Sequence, residues 1–423
     1  MVPLHAIGPS WAVWPTAADL VVIVIAPLAF LQPMLDRTTR RVWEALVITV
    51  LVCLASFVGL TVLNVLGLAA FGTGKGIVAG EYGIYRLVQV LVIYRAVSSC
   101  EFTTARLKVL RYVSMLTFCL ICAGVWATAF NVISPALLSS HLPQAKIMAG
   151  AWFYYMHNGE PGLGAISYNH GYVAMQLILA AALALSLNDA NRRGSVVRAA
   201  VLVLCMGSVF LTGSRAGFIG AAVFAILQIA AIKRGAILAL STFVACSALC
   251  IVFIDPLASL MNSAAERQAT ISSSYEYGGL SGRTEIWDER VEFLRSEPMR
   301  FFVGSGFGSA MESGSNAHMM FLQVLMELGL SGALIFCWLG ARVAQSLGAQ
   351  RGVGMGVLHG SIALLVTCLT QETFYPVPAF AHFLCFYFVV VALVIRYPRP
   401  SALTGRPARR IGWIAWRNQV HAS

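Results

Sequence analysis

Long apolar runs separated by short polar connections repeat along the whole chain. A helix that crosses a membrane needs about 20 mostly apolar residues, because the hydrocarbon core is roughly 30 Å thick. The pattern predicts eleven such spans, of which the second is overlong and the third is short. The predicted spans are 16–35, 43–71, 83–99, 110–132, 169–188, 196–213, 215–232, 236–254, 318–341, 353–371 and 376–396.

The composition supports a membrane protein. Charged residues make up 11% of the 423 positions and hydrophobic residues 58%, whereas soluble domains carry about 25% charged residues. We therefore expect an all-α polytopic membrane protein embedded in a lipid bilayer, without a cleavable signal peptide. The net charge is +11. The positive-inside bias of membrane proteins accounts for this charge, so we expect no nucleic-acid partner.

Basic residues cluster in every second connection between spans, as the positive-inside rule requires. This alternation predicts an N-terminus outside the cell and a C-terminus in the cytoplasm. Two long segments, 133–168 and 255–317, then lie outside. The predicted domains are an N-terminal transmembrane bundle (1–254), an extracytoplasmic loop with an amphipathic helix (255–317), C-terminal transmembrane helices (318–396) and a basic cytoplasmic tail (397–423).

The cysteines and aspartates indicate neither disulfides nor a metal site. All ten cysteines lie in apolar runs or at their edges, so they predict no disulfide framework and no zinc site. The five aspartates are far apart in sequence, so no D-x-D pair is present to hold a divalent metal with a sugar nucleotide. We expect no metal and no cofactor.

The turn "TGSRAG" places Arg215 at the outer end of the predicted seventh span. Ser214 is a suitable N-cap for that helix. The free N–H groups and the dipole of a helix N-terminus favour an anion, and a guanidinium adds a forked cation that suits phosphate. The sequence therefore predicts a phosphate contact at Arg215. The alternative is a snorkelling arginine that only anchors the helix end.

A second arginine, Arg283, ends a glycine-rich stretch of the long outer segment. The residues after it predict an amphipathic helix with Trp287, Val291 and Leu294 on one face. We expect this helix to cover the membrane surface, with Arg283 near its N-terminus as a second phosphate contact. Three later arginines are expected to pair with neighbouring carboxylates in solvent, namely Arg290, Arg295 and Arg300.

His318 opens the predicted ninth span from the outer side. The N-terminus of a helix disfavours a cation, and a neutral imidazole near pH 7 is a competent general base. The alternative is an interfacial histidine bonded to a lipid headgroup. Glycines at 304, 306 and 308 predict a tight turn that leads the chain to His318. Glu327 lies nine residues further along, on roughly the opposite helix face, and is expected to bond across helices.

Weaker candidates lie at the same predicted end. His170 opens the fifth span after Tyr168 and Asn169, and we expect these three to contact substrate. His170 is also a weaker candidate for the base, and Asn169 is alternatively only the cap of that helix. Arg86, near the outer end of the third span, is a further candidate for binding diphosphate. Alternatively, Arg86 pairs with one of three carboxylates, namely Glu81, Glu327 or Glu372.

At these outer residues the chain resembles the O-antigen ligase and O-antigen polymerase family of bacterial envelope glycosyltransferases. The resemblance covers about residues 150 to 345. It rests on the order and spacing of short motifs in a hydrophobic chain. The motifs are "YNHGYVA" (168–174), "TGSRAGFIG" (212–220), "SGRTEIW" (281–287), "GSGFG" (304–308) and "NAHMMFLQVLMELGLSG" (316–332).

The resemblance implies a GT-C-like fold of about 11–12 transmembrane helices in the bacterial inner membrane, with its site on the periplasmic side. It implies an undecaprenyl-diphosphate-linked glycan as donor, arginines on the diphosphate and a histidine as base. Arg215, Arg283 and His318 match these roles. The acceptor is a glycan, either on a lipid A core, for a ligase, or on another lipid-linked chain, for an O-antigen or exopolysaccharide polymerase.

A second class of function stays open. A transporter or flippase of an anionic lipid-linked substrate would keep its polar residues near the middle of the membrane, at broken helices. Most ionisable candidates lie at the outer ends of the predicted spans instead. Glu327 is the exception that leaves this alternative open.

Overall fold

The computed structural model describes residues 17–31, 36–67, 75–129, 132, 156–157, 160–161, 170–188, 194–231, 279–310, 317–350, 352–376 and 382–397. The helices of the first half are α1 (Ala17–Leu31), α2 (Arg37–Val65), α3 (Lys75–Ser99), α4 (Thr104–Ala129), α5 (His170–Asn188), α6 (Gly194–Leu211) and α7 (Arg215–Ala230). Those of the second half are α8 (Gly279–Ser296), α9 (Pro298–Val303), α10 (Met320–Gly348), α11 (Val353–Thr367) and α12 (His382–Arg396). Two short strands, β1 (Met156–His157) and β2 (Glu160–Pro161), pair in antiparallel fashion.

The prediction of an all-α polytopic membrane protein is confirmed. Helices occupy ten of the eleven predicted spans, and the remaining one, 236–254, lies outside the described residues. Five of the described helices are long and apolar enough to cross a membrane. Their apolar ranges are Arg37–Leu63, Gly76–Ser99, Thr104–Ala127, Gly171–Asn188 and Met320–Gly348.

The third span begins earlier than predicted. Its helix, α3, starts at Lys75, eight residues before the hydrophobic run at 83. Glycines and Glu81 dilute the hydropathy of this first part. The glycines serve packing, because a Cβ atom at Gly80 would overlap the Phe57 ring and one at Gly83 the Phe307 ring. The first part of α3 is therefore held by close packing against its neighbours, without a run of large apolar side chains.

Helix α5 lies at the centre of the bundle and is almost completely buried, with contacts to α4, α6, α7, α11 and α12. Small residues let its neighbours approach closely. A Cβ atom at Gly217 of α7 would overlap Ala174. One at Gly360 of α11 would press on Ala182. Helix α5 thereby sets the positions of the two helices whose ends form the site below.

Three of the segments predicted to be basic meet at one end of the bundle. Arg396, the last residue of α12, pairs with Asp36 before α2 at 3.1 Å and donates to the carbonyl oxygen of Cys100 at 3.3 Å. Arg111 of α4 donates to the Tyr397 hydroxyl. The opposite end of the bundle holds the starts of α5, α7 and α10 and the connection between α11 and α12. Which end faces the cytoplasm stays a prediction.

Helix α10 is interrupted at Gly329, where φ is 65° and ψ is −167°. The last residues of α9 and Gly304, which follows it, cause the interruption. A Cβ atom at Gly329 would overlap the carbonyl oxygen of Phe302, and one at Gly304 the carbonyl oxygen of Glu327. Only glycines permit this approach, since both positions also have positive φ.

Replacement of Gly304 by alanine is expected to destabilise the protein. Its φ of 83° and the overlap with Glu327 add strain of about 1–3 kcal/mol. The matched control is Gly340→Ala in α10, where a Cβ atom would meet nothing within 4 Å and helix propensity favours alanine by about 1 kcal/mol. In detergent, the melting temperature should fall for Gly304→Ala and hold or rise for Gly340→Ala. A melting temperature of Gly304→Ala equal to that of the wild-type protein would contradict the packing described.

Candidate active site

The connection between α11 and α12, residues 368–376, holds two of the predicted site residues; we call it the 368–376 loop. Arg283 of α8 donates from Nη1 to the carbonyl oxygen of Thr370 at 2.6 Å. The Glu372 carboxylate accepts the backbone N–H of His318 at 2.5 Å, and its Oε1 lies 3.5 Å from His318 Nδ1. Arg283 and His318 are therefore held by two positions of a single loop.

His318 has an unusual backbone conformation. Its φ of 52° is the one positive value among the non-glycine residues that the structure describes. Such a conformation costs about 1–3 kcal/mol and persists where surrounding contacts enforce it, often at functional sites. The Glu372 carboxylate supplies one such contact. The His318 side chain is 36% exposed, whereas that of Glu372 is 2% exposed, so the histidine is accessible and its partner is buried.

The residues on either side of His318 are anchored as well. Before it, Ala317 donates its N–H to Gln323 Oε1 at 2.8 Å and accepts from the Trp287 indole at 2.8 Å. After it, the N–H of Met320 donates to the carbonyl oxygen of Cys368 at 3.0 Å. Helix α8, helix α10 and the 368–376 loop thus all fix the position of the imidazole.

The helix start differs from the prediction at His318. Helix α10 begins at Met320 and has no side-chain N-cap bond at Met319, so His318 precedes the first turn. A buried carboxylate beside Nδ1 governs the imidazole instead of a helix dipole. It favours the tautomer with a proton on Nδ1, which leaves Nε2 with a lone pair.

Arg215 occupies the first position of α7, as predicted. Ser214 is the N-cap, with φ −78° and ψ 107°, and its side chain accepts the N–H of Gly217 at 3.1 Å. The predicted cap is therefore confirmed. The Arg215 side chain is partly exposed, beside a helix N-terminus that favours negative charge.

The start of α7 lies next to the 368–376 loop. A Cβ atom at Gly220 would touch the methyl group of Thr367, the last residue of α11. The Thr367 hydroxyl bonds that of Thr373 in the loop at 2.7 Å. Arg215 precedes Gly220 by about 7 Å along the helix, on the side toward the helix end. This places Arg215 at the same end of the bundle as His318 and Arg283.

The start of α5 lies at this end too. His170 is its first residue, and its side chain lies outside the described residues. Tyr172, two residues later in α5, is buried. Two further predicted substrate contacts lie outside the part of the chain that the structure describes, namely Tyr168 and Asn169.

The face that α8 buries differs from the prediction. Leu294 is buried and Trp287 is partly buried, but Val291 is 37% exposed and Arg290 is only 3% exposed. The predicted pairing of Arg290 with a neighbouring carboxylate is confirmed, since its Nη1 lies 3.7 Å from Glu289 Oε1. The expectation that Arg290 is solvated is wrong. The bond from Trp287 to the chain before His318 rotates the helix, so residues at i, i+3 and i+7 point inward.

Arg86 lies deeper than the sequence suggested. Because α3 begins at Lys75, Arg86 is about 16 Å along the helix from its start. The side chain is fully buried. It donates to Gln89 Oε1 at 2.6 Å and to the Tyr82 hydroxyl, and it stacks over the Tyr82 and Tyr85 rings. These contacts hold Arg86 within its own helix.

Glu327 has the structural role that was predicted. Its buried carboxylate accepts from the N–H groups of Gly308 and Ala310 at 2.7 and 3.2 Å, from Gln323 at 2.6 Å and from the Tyr375 hydroxyl at 2.5 Å. Burial, followed by the Glu327 charge, raises the pKa of Tyr375 well above its ordinary value, so this hydroxyl stays a donor. Glu327 thereby ties the 368–376 loop to α10.

Sequence reasoning missed the importance of Glu372. The residue stands in the short connection between two predicted spans, outside every recognised motif. An acidic residue in such a short apolar connection is the one local signal that could have indicated it. Its pairing with His318, 54 positions earlier, is visible only in three dimensions.

These features define the class of the protein. It is a polytopic helical membrane protein whose bundle carries, at one end, a carboxylate–histidine pair and two arginines. Residues 200–337 match the O-antigen ligase family, and this stretch includes Arg215, Arg283 and His318. This match confirms the resemblance of the chain to the O-antigen ligase/polymerase family.

The match covers about a third of the chain. No curated protein gives a significant match. The family and the spanning helices together indicate an inner-membrane protein that performs glycosyl transfer of the O-antigen ligase/polymerase type. Within the described residues, no group of three His, Cys, Asp or Glu side chains could hold a metal ion.

Proposed function

We propose that the chain transfers a glycan from undecaprenyl diphosphate to a sugar hydroxyl of an acceptor glycan, with inversion and without a metal, on the periplasmic side of the inner membrane. The observation that carries this proposal is the 368–376 loop, which holds the Arg283 guanidinium and the His318 imidazole together. The acceptor glycan belongs to a lipid A core for a ligase and to another lipid-linked chain for a polymerase.

His318 acts as the general base. Its Nε2 takes the proton of the acceptor hydroxyl while that oxygen attacks the anomeric carbon of the donor. The bond from this carbon to the diphosphate oxygen breaks, and the electron pair leaves with the lipid diphosphate. Attack opposite the leaving group inverts the anomeric centre. Glu372 keeps Nε2 available and stabilises the imidazolium that forms.

The arginines stabilise the leaving group. Undecaprenyl diphosphate needs no protonating acid, but its developing negative charge needs preorganised cations. Arg215, at the N-terminus of α7, and Arg283, held on Thr370, supply them. Arg86 donates to Tyr82 and Gln89 in a buried site and stays a further candidate for binding the diphosphate.

Reconstitution tests the proposed reaction. Purified protein in detergent, given lipid-linked donor and acceptor, should join glycans without ATP and in excess chelator. Mass spectrometry detects the product, and NMR of the new anomeric centre reports inversion. Loss of transfer with chelator, or a retained configuration, would contradict the mechanism.

The surface glycans of a deletion strain distinguish a ligase from a polymerase. Intact polymer that is no longer attached to the lipid A core identifies a ligase. Accumulated single repeat units identify a polymerase. Mass spectrometry of the surface glycans gives this result directly.

Replacement of Glu372 by glutamine should lower kcat by about 10–100-fold, by analogy with the carboxylates that orient metal-bound histidines. The amide keeps an oxygen for the His318 N–H but loses the charge beside Nδ1. KM for the donor should change little. The matched control is Glu292→Gln in α8, whose carboxylate is 73% exposed. An unchanged kcat in Glu372→Gln would remove Glu372 from the mechanism.

One observation favours the alternative of a transporter or flippase: α10 is broken at Gly329, two residues after the buried Glu327. Broken helices near midplane carboxylates are typical of transport sites. Here, however, four protein donors already occupy the Glu327 carboxylate. A vesicle assay with a fluorescent lipid-linked glycan distinguishes the two, since only a flippase moves the headgroup across the bilayer when no acceptor is present.

A further inference from the structure

Helix α9 exposes a set of large apolar side chains in the segment that the sequence assigns to an outer loop. Met299 is 74%, Phe302 55% and Val303 65% exposed. An exposed apolar patch in an aqueous loop needs a reason. The depth at which this segment is held supplies one.

The residues that follow α9 contact α2 well before the C-terminal end of that helix. Phe307 donates its N–H to Ser56 Oγ at 3.0 Å, and a Cβ atom at Gly306 would overlap Leu60. Ser56 lies about 15 Å along the helix from Leu66. The exposed large side chains in residues 48–65 of α2, the stretch around Ser56, are apolar, namely Ile48, Leu51, Leu54, Val58, Val62, Leu63 and Val65. The segment therefore sits within the height of the apolar surface of α2.

The backbone N–H groups of the same segment need no hydrogen bonds to water. Each N–H from Gly304 to Ala310 has an acceptor inside the protein. In order, these acceptors are Arg300 O, Met326 O, Glu327 O, Ser56 Oγ, Glu327 Oε2, Gly306 O and Glu327 Oε1. Non-helical backbone at membrane depth is tolerated only where the protein satisfies it in this way. An ordinary aqueous loop would not need seven consecutive internal bonds.

We propose that residues 298–310 form a re-entrant element whose α9 face, Met299, Phe302 and Val303, lies against the acyl chains of the outer leaflet. The residues that follow this face pack against Ser56 and Leu60 of the apolar helix α2, which supports hydrocarbon as its partner. Arg300, paired with Glu297 and close to the Phe293 ring, lies on the α8 side, toward the headgroups. This inference does not depend on the proposed reaction.

The re-entrant element has a consequence for the site. It anchors α8 at the membrane surface, and α8 carries Arg283 and Trp287. The guanidinium and the imidazole would then stand at the level where a lipid presents its phosphates.

Spin labels test the proposal in vesicles of phosphatidylethanolamine and phosphatidylglycerol. Val303→Cys and Met299→Cys are labelled in a variant with no other reactive cysteine, and relaxation by oxygen is compared with relaxation by a water-soluble nickel chelate. Val58→Cys on α2 gives the hydrocarbon reference, and Glu292→Cys on α8 gives the aqueous reference. Both test positions are already exposed, so the labels should not disturb packing.

We expect the oxygen-to-nickel ratio at 299 and 303 to lie nearer that of position 58, several-fold above that of 292. Ratios nearer the aqueous reference would overturn the proposal and make α9 part of a water-exposed loop. The readout needs no substrate, so its failure would leave the proposed transfer reaction untouched.

Discussion

Replacement of His318 by alanine is expected to lower the turnover number by about 10²–10⁴-fold, the usual contribution of a general base. The affinity for the lipid-linked donor should be nearly unchanged, because both arginines remain in place. Single-turnover transfer measures the first quantity, and equilibrium binding of the donor to the purified protein measures the second.

Chemical rescue separates a base from a merely structural histidine. Added imidazole should restore part of the activity of His318→Ala, since a small base can enter the space that the side chain leaves. It should not restore Glu372→Gln, in which the imidazole of His318 is still present. Wild-type turnover in His318→Ala, or equal loss of transfer and donor binding, would contradict the assigned role.

Replacement of Arg283 or Arg215 by alanine should each lower kcat by about a hundredfold or more, since each removes a fixed cation from the developing diphosphate charge. Lysine should restore only part of the rate, because an ammonium lacks the forked geometry of a guanidinium. Transfer rates of the purified variants measure the effect. The matched control is Arg295→Ala, on the same helix as Arg283 but 74% exposed, which should retain the wild-type rate.

The Arg283 variant needs one further measurement, because this side chain also bonds the carbonyl oxygen of Thr370. Inhibition by undecaprenyl diphosphate without a glycan reports binding of the leaving group alone. Its inhibition constant should rise in Arg283→Ala and stay constant in Arg295→Ala at similar melting temperatures. If the melting temperature of Arg283→Ala fell while the inhibition constant held, Arg283 would be a structural residue.

The parts of the fold that local pattern determines could be predicted from the sequence. The apolar runs predict which segments are helical. The alternation of basic connections predicts that one end of the bundle brings together Asp36, Cys100 and Arg396. The cap at Ser214 depends on a side chain and the N–H three residues later, so it is readable from "TGSRAG". The glycine turn at 304–308 was predicted because few other residues adopt positive φ.

Features that depend on distant contacts could not be predicted. The bond between Glu372 and His318 joins two loops, and hydrophobic periodicity carries no information about it. Arg290 is buried because Trp287 bonds the chain before His318, which rotates α8. Arg86 lies far from the start of α3 because the glycine-rich first part of this helix has too low a hydropathy to be predicted as part of the span. The break at Gly329 exists only because the 302–304 backbone approaches α10.

A structure of the His318→Ala protein with bound lipid-linked donor would test the central claim most directly, since the missing base should preserve the donor intact. We expect the diphosphate oxygens within about 3 Å of guanidinium nitrogens of both Arg215 and Arg283, with the anomeric carbon facing position 318. A donor seated in the α10 break beside Glu327, or in contact with neither arginine, would contradict the proposed site.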